Sequence, residues 1–287
     1  MTTDKILDGK KLADELNSEL KSKIEKLVKI TGVHPKLTTI LVGNDPSSKV
    51  YVNIKHKTCA KIGIDSQSVI FDENISQEKL LKKIRELNND KSVNGILLQA
   101  PLPANLIEST PLFIETISPH KDVDGLHPFN RGRLFDYNED LVPCTPKGII
   151  ALLDYYNIDL KGKDVTIINR SILIGKPLIF MCLKRNATIS VCHTKTRNIN
   201  RYIKQADILI VAVGRPKFIT KDKIKEGVVI IDVGINRVDG KLVGDVDFED
   251  VLDKCSKITP VPGGVGPLTV SFLLHNTFFV YKKQLNI

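Results

Sequence analysis

The sequence predicts an α/β protein of two domains, each with a parallel sheet covered by helices. The chain has 287 residues, which is more than a single hydrophobic core comfortably supports. Short apolar, β-rich runs alternate with helical periods in both halves of the chain, an order typical of parallel sheets. Between the halves, residues 100–148 are rich in Pro, Gly and polar side chains, which indicates an irregular functional region.

The first half begins with an amphipathic helix over 10–30, where leucine and isoleucine recur at steps of three and four residues. A second helix carries the stretch YVNIKHK (51–57). Asp45 can cap its start, Pro46 suits its first position and Gly63 ends it. The other predicted elements are strands over 38–43, 66–71 and 93–99 and a helix over 76–89. This β-α-β-α-β order predicts a parallel sheet.

The second half resumes the periodicity after Pro146. Its predicted elements are helices over about 147–157 and over 176–186, and strands over 164–169, 188–193, 207–214 and 227–234. A loop over 259–269 precedes an apolar helix that ends the chain. We therefore expect one domain over 1–146, completed by the C-terminal helix 270–287, and a second domain over 147–269.

The composition indicates a soluble globular chain, with 42% hydrophobic and 26% charged residues. No apolar run reaches the roughly 18 residues of a membrane span, and the N-terminal MTTDKILDGKK lacks the apolar segment of a signal peptide. We therefore expect a cytoplasmic protein with no membrane partner. Five scattered cysteines without a C-x-x-C pair fit reduced, buried thiols, and no metal site is expected.

The formal net charge of +9 favours an anionic partner. Nucleic acid is one candidate, but the lysines are spread along the chain, aromatic residues are only 6% and no nucleic-acid-binding motif occurs. A phosphorylated cofactor or a polycarboxylate substrate explains the charge equally well. A lysine-rich composition without a functional cause is the further alternative.

A nucleotide-binding pattern lies at the start of the second domain. A predicted strand ends at Asn169, and after a turn that contains Arg170 a helix opens near Gly175, where backbone N–H groups can point at a phosphate. Hydroxyl and basic side chains follow the next strand, namely Thr194, Lys195 and Arg197. An acidic residue there favours NAD, whereas these groups suit the 2′-phosphate of NADP. Because only one glycine of G-x-G-x-x-G is present, an α/β domain without a nucleotide stays the alternative.

Polar side chains of the first domain form a second candidate site. Tyr51 and Lys55 are one turn apart on the same helical face. Gln99 ends a strand at the carboxyl edge, where ligands bind in open α/β sheets. KDVDG places Asp122 and Asp124 in a loop, and the glycines of VPGGVGP can let the backbone approach a flat ligand. The ordinary alternatives are a solvated lysine, a surface glutamine and turn-forming residues.

Six blocks of the sequence occur in an order and spacing that resemble a known family. The blocks are YVNIKHKTCAKIGI, GILLQAPLP, KDVDGLHPFNRGRL, PCTPKGI, NRSILIGKP and TPVPGGVGPLT, and the likeness runs from about residue 5 to 282. They resemble the bifunctional methylenetetrahydrofolate dehydrogenase/methenyltetrahydrofolate cyclohydrolase family. The resemblance implies a C-terminal Rossmann-like NADP-binding domain, an active-site cleft between the domains and a homodimer formed through the NADP-binding domain. It also implies a place in one-carbon metabolism and purine biosynthesis.

The resemblance implies two reactions on tetrahydrofolate derivatives. Hydride passes from the methylene bridge of 5,10-methylenetetrahydrofolate to NADP, and water opens the resulting methenyltetrahydrofolate to 10-formyltetrahydrofolate. Lys55 is implied as the catalytic lysine of the hydrolysis, beside Gln99. Tyr51 is implied to orient the folate and Asp124 to hold the amino edge of the pterin. The folate site is further lined by Pro262, Gly263 and Gly264.

The residues implied for cofactor binding are Asn169, Arg170, Ser171 and Gly175 around the phosphates, Thr194 near the 2′-phosphate and Ile235 along the nicotinamide. Asn169 departs from the glycine that the family usually has before Arg-Ser. Asparagine tolerates left-handed backbone angles but is bulkier than glycine, so we expect an altered cofactor affinity or geometry.

Three functional hypotheses follow from the sequence. The leading one is the bifunctional enzyme. The second is a dehydrogenase whose cyclohydrolase activity is weak or lost, and the presence of Lys55 and Gln99 argues against it. The third is a basic nucleic-acid-binding protein that has lost cofactor binding through Asn169.

Overall fold

The structure, a computed structural model, describes residues 3–287. Met1 and Thr2, with which the predicted first domain begins, lie outside the described residues. The three-stranded unit comprises Glu15–Arg133, Asp140–Val142 and Val270–Ile287, and the five-stranded unit comprises the described residues up to Asp14, Leu134–Glu139 and Pro143–Thr269. Each unit combines helices with a parallel sheet, which confirms the predicted fold class.

The α-helices of the described chain are α1 (Gly9–Thr31), α2 (Pro46–Ile62), α3 (Gln77–Asn89), α4 (Thr110–Thr116), α5 (Pro128–Phe135), α6 (Cys144–Tyr155), α7 (Gly175–Lys184), α8 (Ile199–Gln205), α9 (Phe248–Val251) and α10 (Val265–Gln284). The strands are β1 (Lys36–Val42), β2 (Asp65–Phe71), β3 (Gly95–Leu98), β4 (Asp164–Ile168), β5 (Thr188–Cys192), β6 (Ile208–Val211), β7 (Val229–Asp232), β8 (Asn236–Val238), β9 (Lys241–Val243) and β10 (Lys257–Ile258).

The three-stranded unit is built on a sheet of order β2-β1-β3. Its central strand β1 is parallel to both neighbours, and its apolar side chains are buried. Ile40 of β1 and Ile96 of β3 pack with Leu80 and Ile84 of α3 and with Phe113 of α4. The carboxyl ends of β1 and β3 therefore lie side by side at one edge of the sheet.

Helix α2 begins and ends as the sequence predicts. The Asp45 carboxylate accepts a hydrogen bond of 2.6 Å from the backbone N–H of Ser48, and Pro46 occupies the first turn. Gly63 ends the helix with a φ of 84°, a left-handed conformation that glycine adopts without a steric penalty. These caps set where Tyr51 lies on the helix.

The C-terminal helix α10 is anchored within the three-stranded unit by its last four turns. The hydroxyl of Ser271 donates to Oδ1 of Asn17 at 2.9 Å. Tyr281 is fully buried, and its hydroxyl donates to the carbonyl oxygen of Val33 at 2.5 Å. The apolar sequence of this helix is explained by that burial.

The five-stranded unit has the strand order β10-β7-β6-β4-β5, and all its neighbouring strands are parallel. The chain passes from β4 to β5 on one side and then returns to β6 on the other side of β4. This reversal is the topological switch point of a doubly wound sheet, where ligands bind beyond the carboxyl ends of the strands. The core holds Ile168, Leu209, Ile230 and Ile258.

The prediction of irregular structure over 100–148 is wrong in part. The region contains α4 and α5, and α6 begins at Cys144 rather than near 147. Each of these helices has a proline in its first turn: Pro111, Pro128 and Pro146. The first-turn N–H needs no helical acceptor, so proline is compatible there and marks a start rather than a break.

The predicted loop over 259–269 also ends too late, because α10 begins at Val265 with Pro267 in its first turn. The hairpin of β8 and β9, the helices α8 and α9 and the strand β10 were not predicted. Most of these elements span two to four residues, which is too short for a hydrophobic period to emerge.

Candidate active site

Lys55 forms a direct hydrogen bond with Gln99 in the three-stranded unit. Its Nζ donates to Oε1 of Gln99 at 2.9 Å, and both side chains are half-buried. The amide nitrogen of Gln99 donates to the carbonyl oxygen of Ala100 at 2.7 Å. This second bond fixes which end of the amide faces Lys55, so that Nζ donates to a neutral oxygen that does not take up its proton.

Sheet topology explains this contact between residues 44 positions apart. Helix α2 follows the carboxyl end of β1, and Gln99 follows the carboxyl end of the adjacent strand β3. Parallel neighbours present these ends at the same edge. Tyr51 lies one helical turn before Lys55. His56 projects elsewhere, with its Nε2 2.5 Å from Oγ of Ser68, and burial lowers its pKa.

The KDVDG segment lies beside the same strand. The backbone N–H of Ile96 donates to the carbonyl oxygen of Lys121 at 2.7 Å. Lys121 is buried, and its Nζ donates to two carbonyl oxygens at the end of α3; burial lowers its pKa. The buried Asp122 carboxylate accepts from the backbone N–H of His127 at 2.8 Å. Lys121 and Asp122 are thus structural. Asp124 is half-exposed, so it is the carboxylate of this segment that a ligand can reach.

The loop that contains Gly263 and Gly264 lies in the five-stranded unit, and the atoms packed closely against Gly264 belong to the chain itself. A Cβ on Gly264 would lie 2.5 Å from the carbonyl oxygen of Pro260. Gly263 has a φ of 106°, and its carbonyl oxygen accepts a hydrogen bond of 2.8 Å from the backbone N–H of Lys10. Pro262 precedes it and is exposed. Turn geometry therefore requires both glycines whether or not a ligand is bound.

A cavity of about 610 Å³ opens at the switch point of the five-stranded sheet. Its lining residues all follow the carboxyl ends of β4, β5 and β6 or end those strands: Ile168, Asn169, Arg170, Ser171, Cys192, His193, Thr194, Thr196, Ile199, Ala212, Val213, Arg215 and Phe218. The lining contains two arginines, several hydroxyl and amide groups and no carboxylate. Such a donor set fits a ligand that carries phosphate groups.

Asn169 does not adopt the left-handed backbone that the sequence analysis considered for it, since the residues of positive φ in the described chain do not include it. Its Oδ1 accepts hydrogen bonds from the backbone N–H of Ser171 at 2.8 Å and of Gly175 at 3.1 Å. Its Nδ2 donates to the carbonyl oxygen of Ala212 at 2.7 Å. The amide side chain thus holds the turn between β4 and α7 against the end of β6.

This arrangement also corrects the expectation that the first amides of α7 point at a phosphate. The N–H of Gly175 donates to Asn169, and the N–H of Lys176 donates to the carbonyl oxygen of Ser171 at 3.0 Å. Both donors therefore have partners within the chain, and the residues of this turn that line the cavity are Asn169, Arg170 and Ser171.

Four of the predicted cofactor residues line the cavity, namely Asn169, Arg170, Ser171 and Thr194. Gly175 does not line it but shapes its wall, and the half-exposed Ile235 lies outside the lining, as do Lys195 and Arg197. The lining also contains His193, Thr196, Arg215 and Phe218, which were not among the predicted site residues. Their positions could have indicated them, because His193 ends a predicted strand and the other three residues follow the carboxyl end of one.

Two family models match this chain. The catalytic domain of tetrahydrofolate dehydrogenase/cyclohydrolase matches residues 7–124, and the NAD(P)-binding domain of the same family matches residues 143–285. The chain belongs to the tetrahydrofolate dehydrogenase/cyclohydrolase family. The first match contains Lys55 and Gln99, and the second contains the whole cavity of the five-stranded unit.

Relatives from this family resemble the chain over nearly its full length. "Bifunctional protein FolD" of Aquifex aeolicus (strain VF5) is 52% identical over 280 residues, which cover 97% of this chain and 96% of that protein. The crystal structure of the bifunctional enzyme FolD from Campylobacter jejuni has a TM-score of 0.93 at 48% identity, covering 98% of this chain and 99% of that one. The Trypanosoma brucei enzyme, solved with NADP and an inhibitor, has a TM-score of 0.93 at 34% identity, with 98% of each chain covered.

Membership of the tetrahydrofolate dehydrogenase/cyclohydrolase family confirms the predicted resemblance and the leading hypothesis of a dehydrogenase that is also a cyclohydrolase. The NAD(P)-binding domain and the NADP complex of the trypanosomal relative confirm the predicted dinucleotide cofactor. Within residues 3–287, no helix is long and apolar enough to cross a membrane. In the same residues, no group of three or more His, Cys, Asp or Glu side chains is arranged to hold a metal ion.

Proposed function

We propose that this chain oxidises 5,10-methylenetetrahydrofolate with NADP and hydrolyses the resulting 5,10-methenyltetrahydrofolate to 10-formyltetrahydrofolate. The observation that carries the proposal is the hydrogen bond of 2.9 Å between Lys55 and Gln99, in a unit whose sequence matches the catalytic domain of the family. The relatives from Campylobacter jejuni and Trypanosoma brucei carry the names of the same two activities.

Lys55 is the proton carrier of the hydrolytic step. Water forms a bond to the carbon of the methenyl bridge, the bond from that carbon to N5 breaks, one proton of the water ends on N5 and the other is released. An amine beside the bridge can accept and return these protons, and the carbonyl oxygen of Gln99 holds Nζ in place without competing for the proton. Tyr51, one turn earlier, offers a ring against which the folate packs.

Asp124 accepts hydrogen bonds from the amino edge of the pterin. Support comes from its position, since its neighbours Lys121 and Asp122 are buried in structural contacts while Asp124 is half-exposed.

The cavity of the five-stranded unit holds the dinucleotide. Arg170 and Ser171 bind its phosphates, the Arg170 guanidinium and Thr194 lie at the 2′-phosphate and Ile235 lies along the nicotinamide, while Asn169 and Gly175 maintain the turn. Three features support the placing of a dinucleotide in this cavity: two arginines line it, no carboxylate lines it, and Gly175 packs tightly under the turn. NADP, when bound, supplies the acceptor for the hydride.

Replacing Arg170 with alanine should weaken NADP binding about tenfold and NAD binding less than about threefold, because a guanidinium contributes most to the extra 2′-phosphate. Titrating both cofactors by fluorescence measures the two dissociation constants. Arg201→Ala is the matched control, an exposed arginine of the same unit outside the cavity lining. Equal losses of affinity for NAD and NADP in Arg170→Ala would show that Arg170 does not bind the 2′-phosphate.

We further propose a cytoplasmic homodimer formed through the five-stranded unit. The five cysteines are buried free thiols, which supports a reducing compartment. Apolar side chains of this unit face solvent in the single chain, with Phe135 66%, Leu173 43% and Leu183 41% exposed. Sedimentation equilibrium should give twice the chain mass of 32.0 kDa. A concentration-independent mass of one chain would refute the dimer.

We also propose that the chain has two functional domains. Residues 1–146 and 270–287 form the folate-binding domain, and residues 147–269 form the NADP-binding domain. This proposal is supported by the grouping of Val270–Ile287 with the unit that contains Lys55. The described residues up to Asp14 group instead with the five-stranded unit.

A further inference from the structure

Asp245 is a fully buried carboxylate that no step of the proposed chemistry uses. It follows strand β9, and its two oxygens accept hydrogen bonds from three consecutive backbone amides. Oδ2 accepts from Val213 at 2.6 Å and from Gly214 at 3.0 Å, and Oδ1 accepts from Arg215 at 2.8 Å. Three convergent N–H groups form a small anion-binding concavity, which a carboxylate of the chain itself fills.

These three amides belong to a wall of the dinucleotide cavity. The segment follows strand β6, and its residues Val213 and Arg215 line the cavity. Gly214 between them has a φ of 66°, the left-handed conformation that turns successive N–H groups towards one point. The position of this wall is therefore set by the carboxylate beneath it.

Asp245 is itself held from two sides. Nδ2 of Asn236 donates to its Oδ1 at 2.9 Å. The carboxylate of Asp232, 3% exposed, accepts from the backbone N–H of Asp245 at 3.0 Å and of Val246 at 2.9 Å. Burial raises the pKa of Asp232 to about 6. Neither carboxylate forms a salt bridge with a described residue, so N–H donors alone offset the cost of burying them.

Close packing around the pair explains two glycines. A Cβ on Gly244 would lie 1.8 Å from Oδ2 of Asp232, and one on Gly234 would lie 2.3 Å from Cγ of Asp245. The stretch IDVGIN contains Asp232 and Gly234, and the stretch VGDVDF contains Gly244 and Asp245. The glycine of each stretch lies against the carboxylate of the other, where a larger residue would not fit.

We propose that Asp245 is a positioning residue for the dinucleotide, which fixes the 213–215 wall of the cavity and leaves the hydrolytic site untouched. A carboxylate can serve three amides because it is acceptor-only, whereas an asparagine would turn an NH₂ group against at least one N–H. The inference rests on the proposed function, in which this cavity binds NADP and the hydrolysis requires no cofactor.

Asp245→Asn tests the proposal through the two activities of one protein. The KM for NADP should rise about tenfold, the cost of one or two lost hydrogen bonds, while kcat at saturating NADP and the rate of methenyltetrahydrofolate hydrolysis should change less than about twofold. Asp250→Asn is the control, an exposed aspartate of the same unit whose Oδ2 accepts from the backbone N–H of Lys221. If both activities fell equally, the proposal would be wrong, because Asp245 would then contribute only to the stability of the fold.

A second variant covers the case in which Asp245→Asn does not fold. Asn236→Ala removes one donor to Asp245 and leaves the carboxylate in place, and it should raise the KM for NADP about threefold without changing hydrolysis. An unchanged KM for NADP in every variant that folds would overturn the proposal. Failure of the wild-type protein to bind NADP would instead contradict the proposed function.

Discussion

Replacing Lys55 with methionine abolishes the hydrolysis of methenyltetrahydrofolate while the folate still binds. Methionine retains most of the length and apolar volume of the side chain but cannot carry a proton or donate to Gln99. General acid–base groups contribute about 10²–10⁴-fold to rates, so we expect a loss of at least about 100-fold. The decay of the methenyl absorbance measures the hydrolysis, and a fluorescence titration measures the bound folate.

The same helix provides a matched control for this experiment. Lys57 is exposed two residues further along α2, so Lys57→Met changes the same charge without touching Gln99. We expect it to hydrolyse methenyltetrahydrofolate at the wild-type rate. Normal hydrolysis by Lys55→Met would refute the role given to Lys55, and loss of folate binding in that variant would make the lysine a binding group instead.

Replacing Gly175 with alanine abolishes NADP-dependent oxidation. The added Cβ would lie 2.1 Å from the carbonyl oxygen of Asn169 and 2.9 Å from the backbone nitrogen of Arg170. Both atoms are backbone, so the whole turn must move, and Arg170 and Ser171 move with it. A displacement of about 1 Å in a binding group can cost about 100-fold, and overpacking of this kind costs about 1–3 kcal/mol of stability.

The measurements for Gly175→Ala are the NADP dissociation constant, the urea midpoint and the hydrolysis rate. Because hydrolysis needs no NADP, it should persist in a folded variant. Gly132→Ala is the control, since nothing lies within 4 Å of a Cβ at that position in α5. An alanine there should change stability by less than about 1 kcal/mol. Wild-type NADP affinity in Gly175→Ala would mean that the turn adapts without losing its function.

Local sequence signals predicted the elements that depend on neighbours in the chain. The caps of α2 are an example, because Asp45, Pro46 and Gly63 act within a few bonds of the residues that they affect. The switch-point cavity could be anticipated from strand order alone, since the carboxyl ends of parallel strands meet at one edge. Proline misled the prediction over 100–148, because the same residue that breaks a helix also begins one.

The family resemblance supplied residue roles that spacing could not. Spacing placed Tyr51 and Lys55 on one helical face, but nothing in periodicity pointed from Lys55 to Gln99. Asn169 illustrates the reverse case. The backbone conformation of Asn169 was expected to alter the cofactor site. In the structure, its side chain instead holds the turn between β4 and α7 through hydrogen bonds with Ser171, Gly175 and Ala212.

The sequence by itself determined the α/β class, the main helices and strands, and the family. These follow from hydrophobic period, from local caps and from the order of motifs, all of which are properties of residues close in the chain. Only the tertiary structure decided which polar groups meet, such as Lys55 with Gln99 and Asp245 with the 213–215 amides. A hydrogen bond depends on tenths of an ångström and on the direction of each donor, and folding sets both for residues that lie 30 or more positions apart.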